Sequence, residues 1–425
     1  MNSKVLCLLL SGVLALGLGG CRKEQTEPEK TEKKEISIPM ILTVDPSTGN
    51  RNEDKVIEKF NQAYKGTYYV DVRWIMETEE EYRKNLKRLN VTDQLPAVIT
   101  DLRMLPSFYQ MMIKEERIED LAPYIENDEE WKSMIEPSVL KACSEEDGSI
   151  YLAPLSTAMF ACSGVFWNQE LFQKAGIEKF PETWEEFWEC CDRLENAGIV
   201  PLALHTEGTA WAPMLLATAE LADSQEGADF MEKLYPESYQ NSSGLRLAET
   251  LKKLFSYTTK DALHTDFDVS YRNFISEKTA MVPNGYWMID QIPEDMVDKI
   301  RFSPFPGNKL VGSPETFGWA VVSSYSQEVK EGAIEFLKFR TMLNKSEKED
   351  FLEEQASYEN QIVKDYVQAY KENPQLVPNY QVKWNSVLQE ETLGEALPKL
   401  VKGEISPEKF TQMEDESIQE FEEER

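Results

Sequence analysis

Ile36-Ser-Ile-Pro-Met-Ile-Leu-Thr-Val44 is followed by Asp45-Pro-Ser-Thr-Gly-Asn50, and then by Val56, Ile57, Phe60 and Tyr64. The apolar run fits a buried strand, the Pro/Gly/Asn segment a break, and the spaced apolar residues one face of a helix. Tyr68-Tyr-Val-Asp-Val-Arg-Trp-Ile75 predicts a second strand and 79–89 a second helix. Ala97-Val-Ile-Thr100 is a short apolar run ending at Asp101. Strands alternating with helices make βαβ units, so the chain reads as α/β with a largely parallel sheet.

The pattern returns downstream. Residues 150–154, 160–167 and 200–204 read as strands, and 168–175 and 184–196 as helices. Helices dominate 211–259, and 279–282, 300–305 and 319–322 supply further short strands. A second set of strands implies a second sheet and a second lobe, as expected for a chain longer than one compact core usually accommodates. The last hundred residues are mostly helical, and the acidic end 414–425 reads as a solvated helix end.

With 76 acidic against 45 basic residues and a formal charge of -31, the chain lacks the basic footprint that nucleic acid or an anionic membrane surface demands. Its two histidines, His205 and His264, stand in no His-Glu-x-x-His motif. Cys143, Cys162, Cys190 and Cys191 have no metal-ligand spacing. Cys190 and Cys191 fall in a helical pattern and read as core residues, while a Cys143–Cys162 disulfide stays open. There is no Gly-x-Ser-x-Gly elbow and no phosphate loop. The expectation is no metal, no cofactor and no catalysis. The 76 carboxylates leave a surface glycoside hydrolase as the enzyme alternative.

At the N-terminus, Lys4 precedes an apolar run over 5–18 and then Leu18-Gly-Gly-Cys21, which resembles a bacterial lipoprotein signal. The resemblance implies that residues 1–20 are removed and that Cys21 carries acyl chains holding the protein on the outer face of the membrane. Residues 22–35, with five positive and five negative charges, then form a tether.

Asp147-Gly-Ser-Ile-Tyr-Leu-Ala-Pro154, Gly164-Val-Phe-Trp-Asn168, Pro181-Glu-Thr-Trp184, Phe274-Ile-Ser-Glu-Lys-Thr-Ala-Met281, Asn284-Gly-Tyr-Trp287 and Phe317-Gly-Trp-Ala-Val-Val322 are similar to blocks of family 1 extracellular solute-binding proteins. These are the ligand receptors of sugar ABC importers. Leu95-Pro-Ala97 departs from the Pro-Asp common in the family, which leaves the ligand open. The resemblance implies a two-lobed, periplasmic-binding-protein-like (type II) fold with the ligand in the cleft. Lobe 1 would be 36–155 plus 317–355, and lobe 2 would be 156–316 plus 356–425. Crossings near Ser156 and Thr316 would act as hinges. The implied partners are a carbohydrate and the permease subunits of an ABC transporter, with the protein itself a monomer.

A sugar presents hydroxyl rims and weakly apolar ring faces, which call for polar acceptors and flat aromatic rings. Trp211, Trp287 and Trp319 stand where the family tends to put cleft aromatics, each beside small residues, although core packing is the commoner fate of Trp. Asp45 and Asp101 follow strands at the carboxyl edge, where open α/β sheets bind ligands, and equally suit helix N-caps. Glu207, before Gly208, is a further acceptor. Ser156 and Thr157 offer hydroxyls at the first crossing, and Asn284 is a further ligand candidate from an Asn-Gly pair whose alternative reading is a turn alone. A noncarbohydrate solute is the alternative ligand.

Overall fold

The computed structural model describes residues 35–44, 51, 53–76, 79–100, 106–145, 147–154, 157–207, 209–233, 235–312, 318–353, 360–372, 374–379, 381, 384 and 387–423. Cys21, the tether, Asp45, Asp101, Ser156, Gly208 and Thr316 lie outside the described residues.

The strands are β1 (Ile36–Thr43), β2 (Tyr68–Ile75), β3 (Val98–Thr100), β4 (Cys162–Asn168), β5 (Val200–Leu202), β6 (Thr279–Gly285), β7 (Ile300–Ser303), β8 (Lys309–Gly312), β9 (Trp319–Val321) and β10 (Gln375–Pro378). They form two sheets. The first has the order β2-β1-β3-β9. β1 runs parallel to β2 and to β3, while β9 returns late in the chain and pairs antiparallel to β3.

Both faces of β1 are covered, as a parallel sheet requires. Ile38, Met40 and Leu42 pack with Phe60 of the helix Asp54–Ala63 and Phe336 of the long helix Gln327–Glu353. Ile41, on the other face, packs with Tyr82 and Leu86 of the helix Glu79–Val91. The long helix comes close because Gly332 faces the sheet: a Cβ there would lie 2.6 Å from the Tyr68 ring and 3.0 Å from Ile38.

The second sheet has the order β10-β8-β4-β6-β5, with β7 also on β4. β4 is antiparallel to β6, β7 and β8; only β5 with β6 and β8 with β10 are parallel. On one face, Val165 and Trp167 pack with helices Trp184–Asn196, Trp211–Leu221 and Ser242–Leu254. On the other, Phe166, Val282 and Phe302 pack with Phe274 and Tyr366. Local signals start the helices: Thr183 and Glu186 make a capping box, and Asn168, Asn241 and Asp266 each cap a helix with a side-chain oxygen.

Several expectations need correction. The second sheet is mixed, because its strands come from distant parts of the chain and do not alternate with crossover helices. Residues 150–154 form no strand; Ala153 makes only an isolated antiparallel bridge to Trp319. Asn284 and Gly285 are the last residues of β6, paired with Gly164 and Ser163, and not a turn. β8 and β10 escaped the sequence reading, both being only four residues long. The C-terminal helix Pro407–Glu423 is not simply solvated, since Phe410, Glu414, Ser417 and Ile418 are buried. Burial holds the Glu414 carboxyl well above its ordinary range. Cys143, Cys162, Cys190 and Cys191 are all thiols, and burial raises Cys190 to about 12.

Candidate functional site

Strand direction brings the carboxyl ends of β5, β6, β8 and β10 and the amino end of β4 to one edge of the second sheet. Ser163 lies opposite Gly285 and Val311, and Gly312 lies between Cys162 and Pro378. Leu202 sits beside Met281, so the loop from Ala203 to Trp211 opens at the same edge.

This edge collects buried polar atoms with no partner among the described residues: Ser163 Oγ, His205 Nε2, Asn379 Oδ1 and Gln381 Oε1. Native interiors satisfy nearly all such groups, so these four are candidates to meet a polar ligand; others, such as Asn168 and Thr279, lie at the opposite end of the same sheet. The other amide atom of Gln381 is used, its Nε2 donating to the Thr209 carbonyl at 2.5 Å.

An aromatic surface lies alongside. Trp287 opens the 3-10 helix Tyr286–Gln291 directly after β6 and is 44% exposed. A Cβ on Gly285 would lie 2.3 Å from its indole, so the ring lies over Gly285, whose cross-strand partner is Ser163. The small neighbour expected to admit a ligand instead admits the indole. Trp211 is half-buried, 5.3 Å from the His205 ring and 4.9 Å from Phe267.

The remaining candidates fare differently. Trp319 is 3% exposed, with Phe336 at 5.5 Å and the Arg340 guanidinium 4.6 Å over its ring. Arg340 is in turn held by both carboxylate oxygens of Glu53 at 2.5 and 3.0 Å, so Trp319 is a core residue under a pinned cation. Asn284 is fully buried; its Oδ1 accepts from Gly285 N–H at 2.7 Å and its Nδ2 lies 3.0 Å from Met288 Sδ. Thr157 is buried, and its N–H donates to Asn344 Oδ1 at 3.2 Å. Glu207 is exposed, and its backbone N–H is fixed to the Thr265 carbonyl at 3.0 Å.

Four residues of this edge escaped the site prediction: Ser163, His205, Asn379 and Gln381. Asn379 and Gln381 follow β10, a strand too short to read, and Ser163 carries no pattern that separates it from an ordinary strand serine.

His205 has a defined state. Its Nδ1 lies 3.2 Å from the Glu207 carbonyl, which can only accept, so Nδ1 bears the proton and Nε2 is a bare acceptor. Burial lowers the His205 pKa to about 4, so the ring is neutral at physiological pH.

The aromatic platform is also tied to the segment where the chain passes between sheets. Tyr286, next to Trp287, packs on Phe160 at 5.6 Å and on Phe351 at 5.6 Å. Phe351 belongs to the long helix covering the first sheet, and Phe160 precedes β4.

Two α/β units joined by crossing segments, with polar atoms and an exposed indole gathered at one strand edge, define a two-lobed binding protein. A family model described as bacterial extracellular solute-binding protein matches residues 55–378, and the chain belongs to that family, whose members act outside the cytoplasm. The chain is 29% identical over 208 residues to the multiple sugar-binding protein of Streptococcus mutans, a match spanning 45% of this chain and 47% of that relative. The fold is similar to a family 1 extracellular solute-binding protein from Bifidobacterium longum subsp. infantis, with a TM-score of 0.67 and 17% identity over 90% of this chain and 99% of that one. It also resembles a Streptococcus pneumoniae solute-binding protein in complex with the blood group A-trisaccharide, with a TM-score of 0.66 and 17% identity over 89% of this chain and 99% of that one. Among the described residues no helix is long and apolar enough to cross a membrane, and no three His, Cys, Asp or Glu side chains gather as a metal site.

Proposed function

We propose that the protein captures a carbohydrate outside the cytoplasm and delivers it, chemically unchanged, to the permease subunits of an ABC transporter. The observation that carries this reading is the exposed Trp287 indole over Gly285 beside the unpartnered Ser163 hydroxyl. A flat apolar face next to polar groups matches the two surfaces of a pyranose. Unpartnered buried acceptors await hydroxyl donors, and sugars are rich in them. The sugar-binding relative points the same way.

The division into 36–155 plus 317–355 and 156–316 plus 356–425 belongs to this proposal, as do hinges near Ser156 and Thr316. Asp45 and Asp101, placed after β1 and β3, are the groups lobe 1 would bring to the ligand. Closure requires only that the sugar bind the closed form better than the open one. Cys21 is proposed as the lipidated N-terminus of a monomer held at the membrane surface. No step in this cycle breaks a bond.

A thermal-shift screen of the purified protein against mono- and oligosaccharides tests the reading. A ligand at a hundred times its Kd raises stability by about 2.7 kcal/mol. A saturable rise with related sugars is expected, and Trp287→Ala should abolish it. Silence of a folded protein across the panel, or an unchanged shift in the variant, would sink the proposal.

A further inference from the structure

The helix Trp211–Leu221 begins at the same edge without a side-chain cap. Its N-cap, Ala210, sits in the left-handed region with φ 49°, a strained position for a residue with a Cβ. Pro213 has no N–H, and Met214 N–H reaches the Ala210 carbonyl at 3.3 Å. That leaves the N–H groups of Trp211 and Ala212, the first two of the helix, without a partner inside it. Beside them stands the Gln381 amide, 2% exposed and fixed through Nε2 to Thr209, two residues before the helix, while its Oε1 is unpartnered. The uncapped helix start thus offers two donors, and the buried amide next to it offers an acceptor. His205 Nε2, a second buried acceptor, lies in the same loop.

Resting on the sugar-receptor reading, we propose that this helix start is a subsite for a neutral hydroxyl group and selects neutral sugars over uronic acids and amino sugars. A hydroxyl both accepts and donates, so one such group can take a helix N–H and satisfy Gln381 Oε1. A carboxylate accepts only. It gains from the helix terminus but leaves Oε1 and Nε2 unpaired and faces their lone pairs. An ammonium donates only and leaves both helix donors unpaired against the positive end of the dipole. Glu207, exposed in the same loop, adds a carboxylate that repels an acidic sugar and, being solvated, offers an amino sugar only a weak attraction.

The test titrates the intact protein with maltotriose, cellotriose, raffinose and mannotriose, each beside its C6-oxidised uronic form and its amino-sugar form, by calorimetry. The neutral member should bind and the charged partners should bind at least about a hundredfold more weakly, since sites built to hydrogen-bond a group reject analogues that cannot complete the pairing. Gln381→Met should weaken the neutral sugar at least about tenfold and narrow the neutral-to-uronate ratio. The ligand-free melting temperature of the variant separates this loss from misfolding, and His205→Gln, which leaves the Gln381–Thr209 bond in place, should also narrow the ratio. A neutral sugar and its uronic form binding alike would overturn the subsite while leaving the receptor reading standing. An unchanged ratio in both variants would overturn it too. Binding by no sugar of either kind would remove the receptor reading and the subsite with it.

Discussion

The two sheets are built by opposite routes. The first takes β1, β2 and β3 from residues 36–100, joined by helices that cover its faces, and adds only β9 from far away. The second gathers strands scattered over residues 162–378, mostly antiparallel around β4. A sheet made of adjacent crossovers is set by local patterning. One made of distant strands depends on long-range packing, and its edge lies open between pieces that no nearby turn connects. The unpartnered polar atoms of Ser163, His205, Asn379 and Gln381 and the exposed Trp287 lie at that second kind of edge.

If the first lobe is an ordinary packed unit, truncating its core should cost the most. Phe60 is fully buried, stacked on Tyr64 at 4.4 Å and edge-on to Phe336 at 5.1 Å, between β1 and two helices. Phe60→Ala should lower unfolding stability by about 3–5 kcal/mol, read by urea denaturation. Sugar affinity of the protein that remains folded should stay within about twofold. A large fall in affinity at matched folding would break the division of labour between lobes.

The second lobe holds a charged clamp of comparable importance. Asp365 accepts Arg301 Nε at 2.6 Å and a second guanidinium nitrogen at 2.8 Å, and also takes the Phe302 N–H at 3.3 Å, tying β7 to the helix Gln361–Lys371. Asp365→Ala leaves a half-buried guanidinium and a backbone donor unpaired, so a loss of about 3 kcal/mol is expected. A variant as stable as wild type would show that the fold of the second sheet does not depend on this tie.

Acid should act through His205. Its folded pKa of about 4 lies below the ordinary 6.5, so the unfolded chain binds the extra proton first. Stability attached to the neutral ring is intact above pH 6.5 and drains as pH falls toward 4, by about 3 kcal/mol in all. Glu414, held protonated by burial, works in the other direction as pH rises above 4.5. His205→Gln should therefore flatten the acid limb of the stability curve between pH 6.5 and 4 while leaving the neutral limb unchanged. An identical acid limb in the variant would mean that the ring is protonated and solvated in the folded protein.

How much of this was legible in sequence follows the same contrast. β1 and β2 could be placed within a residue because Ile38, Met40, Leu42 and the Tyr68–Ile75 alternation repeat at a fixed local period. β10 and β8 could not, since Gln375–Pro378 and Lys309–Gly312 are strands only because each lies beside the other. The aromatic candidates at this edge carry local signals: Trp287 follows a glycine, and Trp211 heads a helix. Trp319 misled because nothing near it in the chain announces Arg340, which covers its ring. The polar half was hidden for the reason that hid the strands: Ser163, Asn379 and Gln381 become neighbours only through sheet order.

The finest test places one methyl group in each lobe. At Gly285 an added Cβ meets the Trp287 indole at 2.3 Å, and at Gly332 it meets the Tyr68 ring at 2.6 Å and Ile38 at 3.0 Å. The indole is 44% exposed and has room to swing away, so Gly285→Ala should change stability by less than about 1 kcal/mol. The swing removes the ring from its place beside Ser163, and sugar affinity should fall about tenfold, or about 1.4 kcal/mol. Gly332→Ala has no such exit, because the helix is packed on the sheet. The helix propensity gained, about 1 kcal/mol, is set against an overpacking cost of about 1–3 kcal/mol, so stability falls modestly and affinity holds. Affinity lost at Gly332 with stability intact, or the reverse at Gly285, would mean that the ligand surface lies on the first sheet and that Trp287 is a bystander.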